Sequence, residues 1–175
     1  EVLQLMNQND QDISEAAYLR VIHRKTARLF ESSAEAGAIL GGSDATCQQA
    51  LATYGLNIGL AFQIIDDLLD YTASAEEMGK NVGDDLAEGK ATLPLIYAMQ
   101  HADEKSKTCI RDAIKNNGLE QLDTIIKALH ACNAIQYTQE KARALANGAR
   151  EALTPIADSP YKTALDELVD FVIER

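Results

Sequence analysis

The stretch Gly55-Leu56-Asn57-Ile58-Gly59-Leu60-Ala61-Phe62-Gln63-Ile64-Ile65-Asp66-Asp67-Leu68-Leu69-Asp70 is apolar on nearly every side of a helix. That is the pattern of a buried, central helix. Gln63, Asp66, Asp67 and Asp70 break it, and at i, i+3, i+4 and i+7 they share one helical face. Three carboxylates on one face of a buried helix repel one another. Unpaired, each costs several kcal/mol or keeps its proton. Hard divalent cations resolve the conflict, because Mg²⁺ prefers carboxylate and water oxygens. The competing reading is a solvated acidic face on a surface helix, and Ile64, Ile65, Leu68 and Leu69 on both flanks weigh against it. Followed backwards, the stripe meets Gly59, Gly55 and Ala52. Small residues there leave either an open channel or room for close helix packing, and the sequence leaves both open.

The rest of the chain is also helical in grammar. Alternating β-branched runs are absent, and Ala, Leu, Ile, Glu, Gln and Lys dominate. Glu1 to Met6 reads as helix. Asp12 or Ser14 caps a long helix running to about Leu40, stopped by Gly41-Gly42. Ser43 or Asp44 caps a second one to about Tyr71. Residues 72–92 read as a polar loop punctuated by Gly79, Gly83 and Gly89. Pro94 suits a first helical turn. Helices are expected over about 93–102, 104–117, 119–131, 134–152 and 159–174, with breaks at Asn117-Gly118 and Thr154-Pro155. No repeat or long linker divides the chain, so one all-α domain over residues 1–175 is expected.

The composition narrows the function. The chain has 175 residues, with 27 Asp and Glu against 16 Lys and Arg, a net charge of -11. A nucleic-acid binder usually carries a basic face instead. A hydrophobic fraction of 46% with 25% charged residues is globular rather than disordered. No apolar run reaches the roughly 18 residues that span a bilayer. Cys47, Cys109 and Cys132 are widely spaced and odd in number, which fits reduced thiols in a cytoplasmic protein.

Mg²⁺ held by few carboxylates completes its shell with water and substrate phosphate, and a phosphate ligand also needs cationic donors. Lys25, with the Thr26 hydroxyl beside it, is one candidate; Arg24 and Arg28 leave a basic surface patch as the alternative. Lys80 and Lys90 bracket the loop from Gly79 to Lys90, where glycines permit close approach to a ligand. Asp84 in that loop fits either water-mediated metal contact or the fixing of a lysine. Diphosphate at one end and hydrocarbon at the other describe the ligand of such a pocket. The chemistry that needs both is ionisation of an allylic diphosphate, with metal ions on the leaving group and apolar walls around the carbocation.

Three motifs now carry a resemblance. HRKTARLF (23–30), FQIIDDLLD (62–70) and GKNVGDDLAEGKATLPL (79–95), in this order, resemble the trans-polyprenyl diphosphate synthase family. With EVLQLMN at 1–7, the chain is most similar to its octaprenyl-type branch in bacterial quinone biosynthesis. The resemblance implies an isoprenoid-synthase-type bundle of long helices around a central cavity. It implies head-to-tail condensation of isopentenyl diphosphate onto an allylic diphosphate, giving a long all-trans polyprenyl diphosphate. Asp66, Asp67 and Asp70 would be the second aspartate-rich motif, binding Mg²⁺ that bridges the allylic diphosphate. Lys25, Lys80 and Lys90 would contact that diphosphate, and Thr26 and Gln63 would line the cavity near the reacting carbons. Asp84 and Gln4 match family positions in the loop and on the entering helix. The released diphosphate would serve as the final base. A homodimer is also implied, with membrane contact only through the product.

The family also has a first aspartate-rich motif on an earlier helix. Here the only adjacent aspartate pairs are Asp66-Asp67 and Asp84-Asp85. The expectation is a C-terminal portion that lacks the N-terminal helices and is inactive alone. The alternatives are a non-catalytic regulatory partner of a full-length synthase and a class I terpene cyclase. The lysine-bearing loop after DDLLD fits chain elongation better than cyclisation.

Overall fold

The structure is a computed structural model that describes residues 2–72, 82–116 and 118–174. Its elements are α1 (Val2–Met6), α2 (Glu15–Ile22), a π-helical turn (His23–Ala27), α3 (Arg28–Leu40), α4 (Ala45–Thr72), α5 (Asp84–Ala87), α6 (Leu93–His101) and α7 (Glu104–Asn116). A 3₁₀ turn (Leu119–Gln121) then leads into α8 (Leu122–Ala131), α9 (Ala134–Ala152) and α10 (Pro160–Glu174). No strand occurs among the described residues, and no helix among them is long and apolar enough to cross a membrane.

The helix starts follow the capping chemistry of their sequences. Of the two candidates for the first long helix, Ser14 is the cap: its Oγ accepts the Ala17 N–H at 3.2 Å. For α4 it is Asp44, whose Oδ1 accepts the Cys47 N–H at 2.8 Å. Asp103 and Ser159 do the same for α7 and α10, through the N–H groups of Ser106 and Lys162. The five helices expected between residues 93 and 174 are all present, with ends within one residue of expectation except the start of α8, where the 3₁₀ turn Leu119–Gln121 takes the first three expected positions.

Two expectations need correction. The helix expected to run unbroken to Leu40 contains a π-helical turn at His23–Ala27. No proline or glycine marks it, so nothing in the local sequence announced it. The segment expected to be loop carries a short helix, α5. Gly83 starts it with φ 88°, a left-handed conformation open to glycine. The Asp70 carboxylate then accepts the first two N–H groups of α5, those of Asp84 and Asp85.

The chain divides into two compact units. One comprises the described residues of Glu1–Val21 and Asp66–Gln139, the other those of Ile22–Ile65 and Glu140–Arg175. In the first, α6, α7 and α8 pack on one another. Ile110, Ala113 and Ile114 form the buried stripe of α7, and Ile125, Ala128 and Leu129 that of α8. In the second, Tyr54, Ile58 and Ala61 of α4 share a core with Ala146, Ala149 and Leu153 of α9 and with Val169 and Val172 of α10. The Tyr54 hydroxyl crosses that core to donate to the Leu165 carbonyl at 2.9 Å.

The glycine stripe of α4 settles in favour of packing. A Cβ at Gly59 would lie 2.7 Å from the Ala27 Cα, and one at Gly55 would lie 2.5 Å from the Phe30 carbonyl oxygen. The backbone of the neighbouring helix fills that space, so no channel runs along these two positions.

Candidate functional site

In the unit that holds residues 22–65, the π-helical turn presents the residues expected to meet a ligand. Lys25 is exposed on it. Thr26 is half-buried, and its hydroxyl donates to Gln63 Oε1 at 2.6 Å. Gln63 itself is buried in α4. This bond fixes the amide: Oε1 is the acceptor towards Thr26, which turns the Nε2 donors the other way. The neighbouring basic residues separate from Lys25 in role. Arg28 pairs with Glu31 at 2.6 Å, and His23 lies 3.5 Å from the same carboxylate. Arg28 and its hydrogen bond hold the Glu31 carboxyl below the usual range. Lys25 has no ion pair among the described residues.

In the other unit, the aspartates of DDLLD have different surroundings. Asp66 is exposed, whereas Asp67 and Asp70 are only 6% and 5% exposed. Asp67 Oδ2 accepts the Tyr18 hydroxyl at 2.6 Å, a short, charge-assisted bond from α2. Burial pushes the Tyr18 phenol well above its ordinary pKa, and the negative charge of Asp67 adds to the effect. Asp70 uses both carboxylate oxygens on backbone: Oδ1 accepts the Asp84 N–H and Oδ2 the Asp85 N–H, each at 3.1 Å. Its carbonyl accepts the Gly83 N–H at 3.0 Å. Burial and, after it, the nearby charge of Asp85 raise the Asp70 carboxyl to about 6; the two amide bonds oppose the shift without cancelling it.

The loop behind α5 is held at its far end as well. Lys90 Nζ reaches Asp85 Oδ1 at 3.1 Å and Glu88 Oε2 at 2.6 Å. Burial works against the charged lysine, but these two carboxylates outweigh it and hold its pKa above the ordinary lysine value. The Lys90 N–H donates to the Asp85 carbonyl at 2.9 Å. From the segment after α1, Gln8 Nε2 donates to the Glu88 carbonyl at 2.6 Å and the Asn9 N–H to the Gly89 carbonyl at 2.8 Å. Thus Asp85 fixes Lys90. Gln4 is half-buried on α1, and its carbonyl accepts the Asn7 N–H at 3.1 Å. Lys80 lies outside the described residues. Tyr18 escaped the sequence reading; its one signal was a position two helical turns before Lys25.

The donors on this part of the chain are carboxylate oxygens, the chemistry of a hard cation. Among the described residues no three His, Cys, Asp or Glu side chains converge as a metal-binding group.

All-α helices of this order and length define an isoprenoid-synthase type of fold. The chain belongs to the polyprenyl synthetase family, whose pattern matches residues 1–132. It is 47% identical to the octaprenyl diphosphate synthase of Escherichia coli K12 over 176 aligned residues, covering 100% of this chain and 54% of that protein. The structure matches that of a decaprenyl diphosphate synthase from Rhodobacter capsulatus with a TM-score of 0.92 at 39% identity. It matches a Caulobacter crescentus CB15 polyprenyl synthase complexed with calcium and isoprenyl diphosphate with a TM-score of 0.93 at 40% identity. Each match covers 99% of this chain and 54% of the other. The chain therefore spans about half the length of these relatives.

Proposed function

We propose that the chain carries the diphosphate-ionising side of a Mg²⁺-dependent prenyltransferase that adds isopentenyl diphosphate to an allylic diphosphate. The observation that carries this reading is the acidic field at the end of α4. Asp67 and Asp70 are buried, and burial with the charge of Asp85 pushes the Asp70 carboxyl to about 6. A bound cation relieves such a field. Asp66 and Asp67 hold the cation, and Tyr18 fixes the Asp67 carboxylate. When bound, Mg²⁺ supplies charge neutralisation on the departing diphosphate. Lys25, Lys80 and Lys90 hold the diphosphate oxygens. The Thr26–Gln63 pair lies near the reacting carbons, where the oxygens Thr26 Oγ1 and Gln63 Oε1 steady positive charge. Asp84 and Gln4 remain supporting positions in this reading.

Binding of farnesyl diphosphate, titrated with and without Mg²⁺, tests the proposal. Affinity should depend on Mg²⁺. Asp66→Ala should remove that dependence, and Lys25→Ala should weaken binding about tenfold or more. Equal affinity with and without Mg²⁺ would reject the reading. In a synthase of full family length, the Asp66→Ala change should lower kcat by about a hundredfold or more.

The 175 residues hold one of the two aspartate-rich motifs that elongation calls for, so this chain alone is expected not to lengthen an allylic diphosphate. Assay with radiolabelled isopentenyl diphosphate reads this directly. A regulatory partner of a full-length synthase is the second reading, favoured by that single motif. It predicts a changed rate or product length when the chain is added to an active synthase, with no Mg²⁺-dependent diphosphate binding of its own. Dimerisation, a role in quinone biosynthesis and a cytoplasmic location with membrane contact through the product belong to the same proposal.

A further inference from the structure

Three hydrogen bonds run from one residue at the end of α4 to the start of the lysine-bearing loop. The Asp70 carbonyl accepts the Gly83 N–H, and its two carboxylate oxygens accept the N–H groups of Asp84 and Asp85. The next link is also in place: Asp85 accepts the backbone N–H of Lys90 and pairs with its ammonium. The far end of the loop is tied through Glu88 and Gly89 to Gln8 and Asn9. A side chain with both oxygens aimed at backbone amides is built to hold that backbone.

We infer that Asp70 is a positioning residue that anchors the 83–90 loop and, through Asp85, sets the place of Lys90, rather than a ligand of the cation. This rests on the proposed function in one respect only, the contact of Lys90 with diphosphate. It divides the labour within one motif. Asp66 and Asp67 serve the cation, while Asp70 serves the loop.

Asparagine is the informative substitution. It keeps the volume of Asp70 and one acceptor, but its NH₂ group would face an amide N–H, donor against donor. Three quantities are measured on the full chain: Mn²⁺ affinity, amide hydrogen exchange at residues 83–90, and affinity for inorganic diphosphate with Mg²⁺ present. In Asp70→Asn, exchange at Asp84 and Asp85 should quicken about tenfold or more, and diphosphate affinity should fall as far as in Lys90→Ala. Adding Lys90→Ala to Asp70→Asn should cost little more, since both act on one contact. Mn²⁺ affinity should stay within about threefold of the unaltered chain. Asp66→Asn should do the reverse, lowering Mn²⁺ affinity and leaving loop exchange unchanged.

Loss of Mn²⁺ affinity in Asp70→Asn equal to that in Asp66→Asn, with slow loop exchange retained, would overturn the inference. The unaltered chain gives a test free of folding effects. Its Asp84 and Asp85 amides should exchange slowly without any metal, and fast metal-free exchange there also overturns the anchor. If Lys90→Ala leaves diphosphate binding intact, the functional reading of Lys90 fails, while the exchange data still judge Asp70.

Discussion

Asp67 and Asp70 sit three residues apart on one helix, yet their carboxylates meet different partners, a phenol and a pair of backbone amides. Removing the phenol oxygen by Tyr18→Phe keeps the ring in place and leaves a buried carboxylate short of a donor. Such a loss costs about 1–3 kcal/mol. The urea midpoint of metal-free protein should fall accordingly, and an unchanged midpoint would mean that Asp67 finds another donor. Asp70 makes a second prediction, in pH. Its carboxyl titrates near 3.8 when unperturbed and at about 6 in the fold. Between those values the folded chain binds more protons than the unfolded one. The Asp70 contribution to stability is therefore full below about pH 4 and is lost as the pH rises through 6. Urea midpoints of metal-free protein between pH 4 and pH 7, compared with those of Asp70→Asn, read that loss. The helical spacing of the four polar residues was legible in the sequence. Their partners were not, because Tyr18 lies 49 residues from Asp67, and the amides that meet the Asp70 carboxylate lie 14 and 15 residues further on.

The length, ends and caps of α4 follow from its sequence, because Asp44 caps what comes after it and helix-forming residues without a proline continue to Tyr71. The π-helical turn was hidden for the opposite reason. It inserts a residue into a segment with good helical grammar, and its visible consequence is the bond from Thr26 to Gln63 on another helix. Such turns often mark functional positions. The glycines of this pair of helices make the same point. By pattern alone, Gly55 and Gly59 fit a channel as well as a packing seam. Only the nearness of Ala27 and Phe30 decides between them. Gly59→Leu should then destabilise by about 1–3 kcal/mol or more through overpacking. Gly37 on α3 is the control, since an added Cβ there meets nothing within 4 Å. Gly37→Ala should raise stability by about 0.5–1 kcal/mol, the helix-propensity difference. Melting temperatures of the two variants check both signs, and similar losses in each would remove the packing argument.

The net charge of -11 is a property of the whole chain, but it is not spread evenly. Asp66, Asp67, Asp70, Asp84 and Asp85 all belong to one compact unit, on the end of α4 and the short helix after it. Simple screening and specific binding therefore make different predictions. Monovalent salt screens exposed charges over about 8–10 Å and does little for buried ones. A divalent cation bound by Asp66 and Asp67 stabilises by mass action, about 1.4 kcal/mol at ten times its Kd. Mg²⁺ should accordingly raise the melting temperature more than KCl at equal ionic strength, with a saturable dependence on concentration. Asp66→Asn should reduce the Mg²⁺ effect to that of KCl, while an exposed acid far along the chain, such as Glu120→Gln, should leave it intact. Equal stabilisation by the two salts would assign the charge surplus to surface solvation. A Mg²⁺-specific rise that depends on Asp66 would assign it to the site, and would do so in the metal-bound chain without any need for turnover.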